Sequence, residues 1–231
     1  MNRYIIKFSK GGYLKYISHL DLMRLFDRTL KRSGIQLTYS KGFNPHPKMS
    51  IAQPLSLGFS SIGEYLEIET TMLLEPETIK ELLNKNLPEG ISILRCGKAP
   101  MTSKTLASSV EYGRYEAVVP LDGSGIVPQI ESYLNQRSIV MTRHQKKTGK
   151  DIAVDIRPLI REFACTVTDD RLIMDMVIAT GSASNLNPEL LVSSFLNYHD
   201  LAPDKFRHAI TRIDLYYTKD GILLSLDSFI L

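Results

Sequence analysis

RYIIKFSKGGYLKYISHLDLMRLFDRTLKRSG, residues Arg3–Gly34, predicts a β-strand that leads into an amphipathic α-helix. The first eight residues alternate between apolar and polar side chains well enough for a strand with one buried face. Ser18 is a favourable N-cap, and Asp21, three residues later, forms a capping-box-like pair with it. Gly34 is a favourable stop. The helix is therefore expected between Ser18 and Gly34.

This helix has an apolar face and a basic face. Leu22, Phe26 and Leu30 recur at four-residue spacing and share one side. Asp27 precedes Lys31 by four residues, a spacing at which an ion pair offsets part of the basic charge. Two interpretations stay open for the basic row, a phosphate track and a solvated face. The row consists of Arg24, Arg28, Lys31 and Arg32.

The segments that follow complete a β-α-β-β-α-β order. Three extended regions follow, at 35–40, at 49–71 with a break between 58 and 64, and at 90–97. A helix pattern with a proline in its first turn covers 75–88. Residues 112–231 repeat this order, with helix patterns at 125–136 and 187–199 and a hairpin about Asp169–Asp170. The order is that of the split βαβ pattern. We therefore predict an α+β protein of two tandem ferredoxin-like (βαββαβ) domains with antiparallel sheets, at 1–100 and 112–231, joined by the linker 101–111. A shared sheet or a swapped terminal strand stays open.

Composition indicates a folded protein outside the membrane. Of the 231 residues, 43% are apolar and 23% are charged, as in globular domains. The chain has no apolar run of about 18 residues and no signal-peptide pattern at its N-terminus. Cys96 and Cys165 lack metal-ligand spacing and are expected as buried thiols of a reducing compartment. We expect a cytoplasmic location, no membrane contact, no metal and no cofactor.

Charge is concentrated at the start of the chain. Residues 1–50 contain ten lysines and arginines against two acidic residues, whereas residues 151–231 contain seven against twelve. A basic region of this kind favours binding to a polyanion or to an acidic partner. The alternative is a solvated surface on which the charges cluster by sequence alone.

YSKGFNPHPKMS, residues 39–50, predicts a stiff, basic binding loop. Pro45 and Pro47 restrict the backbone of their own and the preceding residues. A stiff loop loses less entropy when it binds a ligand. The alternative is a rigid connector with Phe43 in the core and Asn44 capping a turn. The predicted RNA contacts are Lys41 and Lys48 to phosphates, Phe43 by stacking, and Asn44 and His46 to bases or backbone.

Two histidines raise the possibility of catalysis. His19 falls at the first helical position, and with His46 it would form an acid–base pair for metal-independent RNA cleavage. The alternative is that His19 and Asp21 serve only to cap the helix. We expect no catalytic activity, and His19 and His46 are the candidates if there is any.

The second half offers fewer candidates. Lys146 and Lys147 lie in a basic, glycine-containing turn that would contact phosphates or form an exposed hairpin tip. Asp155 and Arg157 are expected to organise a loop as an internal pair. No nucleotide-binding, zinc-binding or serine-hydrolase motif is present in the sequence.

Three motifs resemble a known family. YISHLDLMR (16–24), YSKGFNPHPKMSIAQPLSLG (39–58) and LNKNLPEGISI (83–93) are similar to the radical SAM-linked domain family of unknown function, which is accessory to cobalamin-type radical SAM proteins. The resemblance implies partnership with a radical SAM enzyme. The chain has no CxxxCxxC motif, so it would be the separate accessory half.

These observations give one principal prediction and two alternatives. We expect an accessory RNA-binding module that works with a separate radical SAM enzyme in RNA modification or processing. One alternative is an RNA endonuclease or modifying enzyme that uses His19 and His46. The other is a protein-interaction scaffold with no RNA contact.

Overall fold

A computed structural model describes residues 1–101, 104–121, 129–145, 149–168, 170–201 and 208–230 of the chain. These residues form five α-helices, a nine-stranded sheet and a separate two-stranded hairpin. The predicted α+β class and the prevalence of antiparallel pairing are therefore confirmed. No helix in these ranges is long and apolar enough to cross a membrane.

The first half places two helices on one face of a four-stranded section of the sheet. Strand β1 lies between β3 and β4 and pairs with both, and β2 pairs with the edge of β3 that faces away from β1. All these pairs are antiparallel. Apolar side chains from β1, such as Phe8, meet those of α1 and α2, such as Phe26 and Leu83, in one buried cluster. The elements are β1 (Asn2–Lys10), α1 (His19–Arg32), β2 (Met49–Ile51), β3 (Ser60–Thr70), α2 (Pro76–Asn86) and β4 (Ile91–Ala99), with a 3-10 turn at Gly12–Tyr16.

The second half has the same strand order with an inserted hairpin. Strands run β10-β5-β9-β8 with antiparallel pairing, and β6 and β7 form the separate hairpin. Phe195 packs edge to face on Tyr133 and on Phe163 at its core, and these two rings contact each other at a tilt. The elements are α3 (Leu106–Ser109), β5 (Tyr112–Pro120), α4 (Ile130–Leu134), β6 (Val140–Gln145), β7 (Lys150–Asp155), β8 (Ile160–Val167), β9 (Arg171–Ala179), α5 (Pro188–Tyr198), β10 (Ala209–Lys219) and β11 (Ile222–Ser225).

The two halves share one sheet. Strands β3 and β10 pair in parallel over a short register that includes Arg212 opposite Ser61. Gly63 makes the approach possible, because a Cβ atom there would lie 2.2 Å from the Ile213 carbonyl oxygen. The sequence left a shared sheet or a swapped terminal strand open, and the structure has the shared sheet. We call this junction the β3–β10 seam.

Two local predictions differ from the structure. Residues 35–40 form no regular strand, because the chain leaves the edge of β3 at Tyr39. Tyr39 bridges to Pro47 across a loop, and pairing with β3 resumes in β2. The linker 101–111, expected as a polar connector, contains α3. The Leu106 side chain is buried there, and its backbone N–H donates to the Glu67 carboxylate at 3.0 Å.

Candidate nucleic-acid interface

The start of α1 is fixed by its N-cap. The Ser18 hydroxyl accepts the backbone N–H of Asp21 at 3.1 Å and donates to the Asp21 carboxylate at 2.6 Å. These hydrogen bonds, with Arg24 and Arg28 nearby, lower the pKa of Asp21. His19 is the first residue of the helix and is exposed. The cap therefore sets the direction in which α1 presents its basic face.

The cations of that face differ in how far they are already paired. Arg24 contacts Asp21 at 3.2 Å, and Lys31 contacts Asp27 at 2.7 Å, both on the exposed surface. Arg32 donates to the backbone carbonyl of the last residue of α2 at 2.9 Å. Ion pairs between exposed side chains are weak because solvent screens them, so a polyanion can compete for these cations.

A groove of about 570 Å³ lies between α1 and the end of α2. Arg24, Arg28 and Arg32 line it together with a single carboxylate, that of Asp21. Arg28 is exposed and has no ion-pair partner among the residues that the structure describes. We call this the arginine groove. Its excess of guanidinium groups suits an anionic ligand, because guanidinium binds phosphate oxygens through two donors.

The Phe43 loop, residues 40–46, is closed at its base by backbone contacts. The Ser40 N–H donates to the His46 carbonyl at 2.8 Å, and the His46 N–H donates to the Ser40 hydroxyl at 3.0 Å. Tyr39 and Pro47 form a bridge directly below. Two prolines and this double closure hold the loop in one shape.

The side chains of the Phe43 loop face solvent. Phe43 has a relative exposure of 112%, the highest of the exposed large apolar residues, and Lys41, Asn44 and His46 are also exposed. The alternative that placed Phe43 in the core is therefore wrong. The physical reason is that the loop leaves the sheet at Tyr39, and no helix or strand of the described ranges covers it.

Lys48 has a different environment from the loop cations. It is half-buried and pairs with Glu69 of β3 at 2.7 Å, and the Thr38 hydroxyl donates to the same carboxylate oxygen at 3.3 Å. Lys48 therefore anchors the return of the loop to the sheet, whereas Lys41 is exposed beside the tip.

The structure does not bring the two histidines together. Strand β1 ends at Lys10, which pairs with Ser61 near the start of β3. Helix α1 begins a few residues later, so His19 lies near that end of β3. His46 precedes the Lys48 that pairs with Glu69, near the other end of β3. The two strand positions, Ser60 and Glu69, are nine residues apart, which is about 30 Å along β3.

The candidates of the second half are structural or lie outside the described residues. Lys146 and Lys147 fall outside the described ranges. The Asp155 carboxylate accepts the backbone N–H groups of Ile139 and Arg157 at 2.9 and 3.0 Å. The Arg157 guanidinium donates to the Leu134 carbonyl at 2.8 Å. Together they fix the base of the β6–β7 hairpin against the end of α4, through the backbone and not as a direct ion pair.

A protein-family comparison covers most of the chain. A family described as an uncharacterized protein conserved in bacteria, DUF2344, matches residues 3–188. The chain belongs to the DUF2344 family. The matched range includes α1, the Phe43 loop and the β6–β7 hairpin of this DUF2344 protein.

Other comparisons add little. No curated protein matches the chain. A crystal structure of an unknown protein from Galdieria sulphuraria is similar at 13% identity, over 94% of this chain and 99% of that one, with a TM-score of 0.27.

Sequence reasoning missed two features of this surface. The arginine groove needs the end of α2, which is more than fifty residues from Arg28, so spacing alone does not reveal it. Tyr39 is 46% exposed and lines a cavity of about 450 Å³ with Lys31 at the base of the Phe43 loop. An aromatic residue directly before Ser-Lys-Gly was the available signal.

Proposed function

We propose that this DUF2344 protein is a single-stranded RNA-binding module. In this proposal Phe43 stacks on an unpaired base, and the arginine groove and Lys41 contact phosphates. The observation that carries it is the complete exposure of Phe43 at the tip of a closed loop.

The exposure of Phe43 has no use in the fold itself. An aromatic side chain in water contributes nothing to the core, and a loop that is already closed loses little entropy on binding. Stacking of one base on an aromatic ring contributes about 1–3 kcal/mol and accepts every base. Exposed Asn44 and His46 on the same loop supply hydrogen-bonding groups for a base edge or the sugar.

Phosphate binding would come from α1. The first 50 residues carry an excess of eight positive charges, and Arg28 offers a guanidinium without an ion-pair partner among the described residues, in a groove that is open to solvent. If about six phosphates of a single strand are neutralised, the logarithm of the affinity falls with the logarithm of the salt concentration with a slope of about −4. A strand that follows α1 to the Phe43 loop would use both features.

The test is fluorescence anisotropy with short labelled poly(U) and poly(A) strands. Phe43→Ala should weaken binding by about tenfold or more, whereas Phe43→Trp should retain it, because indole also stacks. Arg28→Glu should weaken binding and reduce the salt slope, and Lys219→Glu, a charge change at the exposed lysine that ends β10, outside both features, is its matched control. Equal binding by wild type and Phe43→Ala would contradict the proposal, as would binding that does not respond to salt.

We also propose a radical SAM protein as the partner and a ferredoxin-like fold for each half. The partner rests on the resemblance of residues 16–24, 39–58 and 83–93 to the radical SAM-linked family. The fold rests on the strand order, which is β4-β1-β3-β2 in one half and β10-β5-β9-β8 in the other. A pull-down with the whole chain as bait that recovers no iron–sulfur protein would contradict the partnership.

The cysteines favour an accessory role over chemistry by this chain. Burial raises the pKa of Cys96 to about 12 and that of Cys165 to about 11, so neither thiol is activated as a nucleophile. Both are free, which fits a protein of the reducing cytoplasm. With His19 and His46 at different ends of β3, we propose that any reaction on the RNA is carried out by the partner.

A further inference from the structure

A second cavity, separate from the arginine groove and the Phe43 loop, lies where β1 ends. Its volume is about 570 Å³, and its walls include Lys10, the Gly11–Gly12 backbone, Ser60 and Tyr13. The Tyr13 side chain is 93% exposed at the rim. None of the residues proposed to bind RNA lines this cavity.

Lys10 is the unusual group in this cavity. Its relative exposure is only 2%, yet it makes no hydrogen bond and no ion pair with any residue that the structure describes. Lysine is almost never fully buried unless it is paired. The ammonium group therefore borders the cavity with its donors unused.

The nearest carboxylate is already occupied. Both oxygens of Glu64 accept from one guanidinium nitrogen of Arg212 at 2.9 Å, and Glu64 and Arg212 are each about as buried as Lys10. Two buried cations thus face one buried carboxylate. Glu64 therefore attracts Lys10 only through space, while its oxygens bind Arg212.

This arrangement is unfavourable for the empty protein. Burial lowers the pKa of Lys10; Glu64 opposes this effect and Arg212 adds to it. An apolar residue at the end of β1 would avoid the penalty, so the fold alone gives no reason for a lysine. A bound anion would remove the penalty of burying the Lys10 charge by pairing with its ammonium group.

The wall around Lys10 is rigid and closely spaced. The Gly11 N–H donates to the Gly90 carbonyl at 2.8 Å, and a Cβ atom on Gly90 would lie 2.8 Å from the Gly11 carbonyl oxygen. Two strand-connecting segments therefore meet without side chains, which leaves room for a ligand beside Lys10. The half-buried Ser60 adds a hydroxyl donor to the lining.

We propose that this cavity binds a phosphate monoester, with Lys10 as its charge partner and Ser60 as a hydrogen-bond donor. Lysine binds phosphate as a point charge, and the compact head group fits between glycine walls. The exposed Tyr13 ring at the rim suits a base attached to that phosphate. Glu89, also on the lining, would repel a continuous phosphate backbone, which favours a terminal phosphate or a free nucleotide.

The first experiment is isothermal titration of the whole chain with inorganic phosphate and with uridine monophosphate. Both should bind to the wild type, and Lys10→Met should weaken both by about tenfold or more. Lys85→Met is the matched control, since it makes the same chemical change at an exposed position on α2. No phosphate binding by the wild type would overturn the proposal, as would unchanged binding by Lys10→Met.

A measurement on the wild type alone protects the test against a misfolded variant. Sulfate keeps a constant charge across the alkaline range, so its affinity reports the charge of the protein. Lys10, with Glu64, Arg212, Glu89 and the Tyr13 phenol around it, should lose its proton below the usual pH for lysine, and sulfate binding should weaken there. Affinity that stays constant through that range would exclude Lys10 as the charge partner.

Two sources of the phosphate are then separated with RNA. A strand with a 5′-phosphate should bind more tightly than the same strand with a 5′-hydroxyl if the source is an RNA end, and equally if it is a free nucleotide. Phosphate binding that survives in Phe43→Ala would distinguish this site from the proposed RNA surface, so failure of one proposal leaves the other testable.

Discussion

The Phe43 loop and the β3–β10 seam both concentrate charged and hydrogen-bonding side chains, but they use them in opposite ways. In the seam, the Arg212 guanidinium donates to Glu64 at 2.9 Å, and the Tyr65 hydroxyl donates to Asp214 at 2.5 Å, all in buried positions. In the loop, polar and aromatic side chains point into solvent. Charges that already have buried partners hold the halves together, whereas exposed groups remain available to a ligand.

The seam depends on its polar contacts because its backbone pairing is short. Asp214 accepts from Tyr65, Lys7 and Ser225, and so connects β10 to β3, β1 and β11. Burial and the nearby Asp214 carboxylate raise the pKa of Tyr65, so its hydroxyl stays protonated and able to donate. The seam is a satisfied network, in which the loss of one member exposes the others to a large penalty.

The largest expected effect is that of Arg212→Met. The change leaves the Glu64 carboxylate buried without its partner, and breaking a buried pair on one side costs about 3–5 kcal/mol. Urea unfolding monitored by circular dichroism should show this loss in the free energy of unfolding. The double variant Glu64→Leu/Arg212→Met should recover part of it, because the buried Glu64 charge is then removed too, although Lys10 loses the attraction of that carboxylate. A single variant as stable as the wild type would show that the seam does not rely on this pair.

Gly63→Ala should have the next largest effect. The added methyl group would lie 2.2 Å from the Ile213 carbonyl oxygen, which is backbone and has little room to move. We expect a loss of about 1–3 kcal/mol, as for other overpacked sites. Gly11→Ala is the matched control, since no atom lies within 4 Å of its added Cβ and it lies outside the seam. Equal stability of the two variants would mean that β3 and β10 separate easily.

The contrast between seam and loop also marks what the sequence could predict. Helix α1 followed from local signals, namely the Ser18 cap and the recurrence of Leu22 and Phe26. The seam did not, because Glu64 has the pattern of a solvent-facing strand residue and meets Arg212, 148 positions further along the chain, only in the folded protein.

The same limit applied to the candidate interface. The prolines predicted a stiff loop, and the backbone closure at Ser40 and His46 agrees with this. The exposure of Phe43 depended on whether another element covers the loop, which is a tertiary property. Lys48 has the same residue type as Lys41 and the same loop context, but only the folded sheet places Glu69 beside it.

Lys48→Met tests the boundary between the two regions. Lys48 belongs to the loop sequence but pairs with β3, and its side chain is 38% exposed. We expect a loss of about 0.5–1 kcal/mol, smaller than at the seam because solvent and the Thr38 hydroxyl still reach Glu69. Lys41→Met should leave the free energy of unfolding unchanged. Equal losses in the two variants would remove the distinction between an anchoring and an exposed lysine.

The smallest stability effect should come from Phe43→Ala, and its matched comparison is Phe26→Ala. Phe26 is fully buried and packs edge to face on Phe8 with ring centroids 4.8 Å apart, so its truncation should cost about 3–5 kcal/mol. Phe43 loses no packing when truncated, and the free energy of unfolding should change by less than about 0.5 kcal/mol. The two variants remove the same atoms, so the difference between them measures burial alone. A loss above about 1 kcal/mol in Phe43→Ala would place its ring against the protein in solution, and stacking on a base would then require the ring to leave that contact first.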